Sequence, residues 1–99
     1  MVKHIVLFQL RKELSEEVRL KVALDFKKAI EELPVIIPVI QKIQVGMNIN
    51  PDETWDICLD STFETMEDVK IYASHEAHQK VALQLKPYVN NRSCVDYEY

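Results

Sequence analysis

Ninety-nine residues, 47% hydrophobic and 28% charged, suit one globular core and exclude intrinsic disorder. Twelve basic against sixteen acidic residues leave a net charge of −4. With no Lys/Arg stripe, the chain lacks the positive field that nucleic-acid binding requires. The single glycine rules out the glycine-rich loops that cradle dinucleotides and phosphates, so no cofactor is expected.

The opening stretch, Met1 to Phe8, is largely apolar but short, and Arg11-Lys12-Glu13 follows closely. It reads as a buried strand rather than a signal peptide or membrane span, which places the chain in the cytoplasm. Residues 2–10 alternate, with Val2, His4, Val6, Phe8 and Leu10 on one face and Lys3, Ile5, Leu7 and Gln9 on the other. Ser15 is an N-cap, and Glu16 and Glu17 suit the positive end of a helix dipole. Val18, Val22, Phe26, Ile30 and Leu33 then form the apolar stripe of a helix about 18 residues long, which Pro34 stops. Residues 42–49 predict the second strand, and the turn-rich Asn50-Pro51-Asp52 leads to a third from Trp55 to Phe63. Thr65-Met66-Glu67-Asp68 opens a second helix, which breaks and restarts with Ser74 as a fresh cap. Pro87 ends it, and residues 92–98 predict the fourth strand, with Cys94, Asp96 and Glu98 toward the helices and Val95 and Tyr97 away from them.

The order β-α-β-β-α-β, without repeats, predicts one α+β domain over residues 1–99 with a ferredoxin-like fold. It is a four-stranded antiparallel sheet, order 4-1-3-2, with helices on one face. Strand one then separates Cys58 from Cys94 by two strand spacings, roughly 9–10 Å. A disulfide needs Cα atoms within about 7 Å, so both thiols are expected to be free. The uncovered face carries Ile5, Leu7, Val95 and Tyr97, which predicts a homodimer joined through the sheet faces.

Candidate chemistry gathers on few residues. His4 is polar on an apolar face and needs a hydrogen-bond partner there. Tyr72, His75 and His78 fall within seven residues at a helix break. Asp96, on the covered face, needs a partner that a histidine would supply. An Asp–His pair beside a tyrosine hydroxyl is apparatus for general acid–base work. His75 and His78 alone are too few donors for zinc, so no metal is expected. His75 also suits a helix start bonded to local backbone. No nucleophile elbow is present, and neither cysteine opens a helix.

Val2-Lys3-His4-Ile5-Val6-Leu7-Phe8, Ile37-Pro38-Val39-Ile40, Val45-Gly46, Phe63-Glu64-Thr65, Tyr72-x-x-His75-x-x-His78-Gln79 and Val95-Asp96-Tyr97 together resemble the stress-responsive A/B-barrel family across the whole chain. The resemblance implies a dimeric α+β barrel. The family includes a plant polyketide cyclase, whose pocket lies between sheet and helices and whose tyrosine and histidines promote an aldol cyclisation. By motif position, His4, Tyr72 and His78 match its functional residues, and Asp96 matches the aspartate expected to orient the helix histidine. Ile57 stands where the cyclase has another histidine, and Glu76 replaces the family's usual proline after His75.

The leading expectation is a small organic ligand bound between sheet and helices. His78 would be the general base, oriented by Asp96, and Tyr72 a donor to a developing enolate oxygen. His4, Ile57 and His75 would line the site. Two rivals are a non-catalytic stress or assembly protein, whose dimer surface is its function, and a ferredoxin-like monooxygenase acting on haem or quinols.

Overall fold

A computed structural model describes residues 1–99. Alternating apolar residues form β1 (Val2–Leu10), and Ser15 opens α1 (Glu16–Glu31) by accepting a hydrogen bond from Val18 N–H. A 3-10 turn at Leu33–Val35 carries Pro34, and β2 (Lys42–Met47) and β3 (Ile57–Phe63) follow. Thr65 accepts from Asp68 N–H to start α2 (Met66–Ser74). Helix α3 (Glu76–Leu85), a second 3-10 turn and β4 (Val89–Glu98) complete the chain.

The strands form one antiparallel sheet in the order β2-β3-β1-β4, the order expected, and the fold is ferredoxin-like. The helices cover the sheet face that carries Val2, Val6, Leu59 and Phe63. Phe26, Ile30, Leu33, Val69, Tyr72, Val81 and Leu85 close over these strands as one buried cluster. Asp56 ties the far end together: it accepts from Leu10 N–H at 2.7 Å and pairs with Arg19 at 3.1 Å.

Several boundaries move. Helix α1 has 16 residues; Val18 at its start is exposed and lines a surface groove, and half-buried Val22 lines the same groove while packing against the edge of the core. Strand β2 stops at Met47, leaving Ile49 97% exposed. Strand β4 starts three residues early, because an irregularity between Gln9 and Leu10 lets Val89 join the ladder. Both cysteines are free. They also sit on opposite faces: Cys58 pairs with Leu7 and Cys94 with Val6.

The uncovered face presents Val95 and Tyr97 at 54% and 47% exposure, beside half-buried Ile5 and Leu7. The Lys3–Asp60 ion pair, 2.9 Å long, spans the same face. No helix is long and apolar enough to cross a membrane.

Candidate functional site

The β1–β4 register sets Asp96 opposite His4, Cys94 opposite Val6 and Arg92 opposite Phe8. The two-residue period therefore sends Arg92, Cys94 and Asp96 toward the helices. His4 Nδ1 donates to Asp96 Oδ1 over 2.5 Å, because an ionised carboxylate can only accept. Cys94 Sγ lies 3.7 Å from His4 Nδ1 and 3.8 Å from Asp96 Oδ2. Burial, and then the Asp96 charge, push its thiol up, so it is a poor nucleophile.

His4, Cys94 and Asp96 are the residues a metal ion would use, with donor atoms all within 4.8 Å of one another. Two nitrogen or oxygen ligands of one tetrahedral zinc, at about 2.0–2.1 Å each, stand about 3.3 Å apart. His4 and Asp96 are closer than that and are hydrogen-bonded directly to each other.

Above them, α2 buries Tyr72 completely, at 0% exposure. Its ring meets Phe63 at 5.2 Å, His4 at 5.9 Å and His78 at 4.3 Å between centroids. The Tyr72 hydroxyl finds no hydrogen-bond partner in the protein. Desolvation holds its pKa far above the ordinary phenol value, with the Arg92 charge opposing only in part.

His75 makes the break between the helices: its backbone is extended, and its Nδ1 accepts from Ala77 N–H at 3.0 Å. Helix α3 then turns His78 onto Tyr72. His78 Nδ1 lies 3.0 Å from the Ala73 carbonyl oxygen. A carbonyl only accepts, so Nδ1 carries the proton and Nε2 keeps a free lone pair. Burial lowers the His78 pKa. The Ala73 bond opposes this, and Coulomb repulsion from the His4, Arg92 and His75 side chains adds to it. The ring is thus a neutral base at pH 7.

A pocket of about 320 Å³ opens between the sheet and helices α1 and α3. Val6, Phe8, Leu59, Phe26, Ile30 and Leu85 make most of its apolar wall. Its polar liners are His78, Lys86 and Arg92. A groove of about 360 Å³ between α1 and α3, and a cavity of about 320 Å³ beside Cys58, carry no histidine.

The structure brings His4, Tyr72, His78 and Asp96 into one cluster, and His78 alone of these lines the pocket. The expected Asp96–His78 pairing is not found. Asp96 holds His4, its cross-strand neighbour, while the Ala73 carbonyl orients His78. His75 serves as the cap of α3, the role expected of Ser74, whose hydroxyl bonds Lys70 O instead. Ile57 is a core residue at 1% exposure and lies outside the His78 pocket. Arg92 and Lys86 were not anticipated. The parity of β4 carried the signal for Arg92, since positions 92, 94 and 96 share a face.

Comparisons with known proteins agree with this architecture. A dimeric ferredoxin-like protein of unknown function from Bacteroides fragilis is 51% identical, with a TM-score of 0.96 over 99% of this chain and 95% of that one. The hydroxynitrile lyase of Passiflora edulis superposes with a TM-score of 0.79 at 19% identity, covering 97% of this chain and 90% of its own. An antibiotic biosynthesis monooxygenase gives a TM-score of 0.72 at 9% identity, covering 100% and 98%. Likeness at those last two identities speaks for the fold alone. No curated protein matches the chain. The stress responsive A/B barrel domain matches residues 2–99, and the chain belongs to that family.

Proposed function

We propose that the protein is a homodimer in which each protomer binds a small, mainly apolar organic molecule in the pocket beside His78 and performs acid–base chemistry on it. The observation that carries this reading is the Tyr72 hydroxyl, fully buried and without a partner in the protein, on a ring packed against a histidine that lines the pocket. An unsatisfied buried hydroxyl costs stability, and such groups persist where function requires them.

In this mechanism the substrate's carbon acid approaches His78 Nε2, which takes a proton α to a carbonyl. Negative charge then grows on the carbonyl oxygen, and Tyr72, a neutral phenol packed against His78 just outside the pocket lining, donates to it where the substrate reaches past the His78 ring. The His4–Asp96 pair fixes the floor beneath Tyr72 rather than touching substrate. An intramolecular attack of the resulting enolate on a second carbonyl would be the aldol cyclisation of the plant cyclase in this family. The free cysteines suit a reducing compartment, in keeping with a cytoplasmic protein.

Two kinds of support favour the dimer: the apolar open face with Val95 and Tyr97, and the dimeric state of the 51%-identical relative. The functional test is thermal unfolding against phenolic, polyketide-like and fatty-acyl compounds. A ligand at one hundred times its dissociation constant adds about 2.7 kcal/mol, a shift of several degrees. The shift should vanish in Tyr72→Phe and His78→Ala. Compounds that leave all three proteins unmoved would remove the ligand-binding reading in favour of an assembly role.

A further inference from the structure

The polar liners of the His78 pocket are unequal in charge. No carboxylate lines it, whereas Arg92 and Lys86 both do. The other two arginines are paired, Arg11 with Glu13 and Arg19 with Asp56, while Arg92 has no carboxylate within ion-pair distance. Lys86 is likewise unpaired among the ion pairs of the chain. Arg92 is solvent-exposed, but the register that sets it opposite Phe8 puts it on the helix-covered face, where it lines the pocket. In a chain of net charge −4, this is a local positive field at an apolar cavity.

We propose that the pocket selects an anionic amphiphile, an apolar chain or ring bearing a carboxylate, with Arg92 as the specificity-determining residue. This rests on the ligand-binding reading above and names the substrate class for that site. The apolar part lies against Val6, Phe8, Ile30 and Leu59. The carboxylate meets the Arg92 guanidinium, whose planar fork matches its two oxygens, and Lys86 adds a second charge at the rim. His78 is neutral and contributes no competing charge. The carboxylate is held at the β4 side, which leaves the interior of the ligand facing His78 Nε2.

The test is isothermal titration of the protein at pH 8 and low salt with decanoate and with decanol, which share a chain and differ in head-group charge. Decanoate should bind at least about tenfold more tightly, the value of one charge-assisted contact. Arg92→Gln should remove that preference by weakening decanoate far more than decanol, Arg92→Lys should restore part of it, and Lys70→Gln, an exposed charge change on α2, should leave it intact. Equal binding of both compounds by the wild type would overturn the anionic selection while the pocket reading stands. Equal losses in Arg92→Gln and Lys70→Gln would also overturn it, as a general charge effect. No binding of either compound would overturn both the selection and the pocket.

Discussion

Tyr72 and His78 are each held in a protonation state by burial, and both carry consequences that can be measured. An unpartnered buried hydroxyl costs about 1–3 kcal/mol. Tyr72→Phe keeps the ring packing against Phe63 and His78 and should raise the melting temperature while abolishing ligand response. A lower melting temperature in this variant would mean that the hydroxyl is satisfied. His78 is buried with a lowered pKa, so the unfolded chain takes up its proton more readily than the folded one. Stability linked to this residue is therefore present above pH about 6.5 and lost as pH falls below it. Urea midpoints at pH 8, 6.5 and 5 should fall more in the wild type than in His78→Gln. At this scale the sequence was half legible. The need of His4 and Asp96 for partners followed from their places on an apolar face. Which histidine Asp96 would meet depended on the β1–β4 register, and spacing along the chain does not contain that.

Among the elements, the break between α2 and α3 does most to build the site, since it turns His78 back over Tyr72. His75 makes that break by capping α3 through Nδ1, so His75→Ala should cost about 1 kcal/mol, within the range for N-caps. Asp96 secures the opposite wall. Asp96→Ala leaves a buried imidazole without its partner and should cost roughly 1–3 kcal/mol, seen as a lower urea midpoint, with Asp96→Asn milder because its carbonyl still accepts. Strand faces were readable because alternation has a period of two, and the helices because apolar residues recur at three and four. The ends were not. Ser74 and His75 both offer a capping group, and backbone geometry chose the second. Strand parity puts Arg92 on the face of Cys94 and Asp96, but a charged residue at a predicted strand end reads as solvated, and the pocket lining is what gives it a role.

For the molecule as a whole, the sheet order and the single helix-covered face followed from the element order and the handedness of crossovers. The same logic left one sheet face with Val95 and Tyr97 exposed. The proposed homodimer buries them, so Val95→Lys should shift sedimentation from dimer to monomer without unfolding the protomer. A wild-type species sedimenting at 11.6 kDa at micromolar concentration would contradict the dimer. The central claim, a ligand held between sheet and helices beside His78, is tested most directly by methyl nuclear magnetic resonance. With Ile, Leu and Val methyls labelled and decanoate or an alkylphenol added to saturation, the account predicts shifts at Val6, Ile30, Leu59 and Leu85, and none at Ile5 or Val95. Shifts confined to the open sheet face, or to the α1–α3 groove around Val18 and Val22, would contradict it.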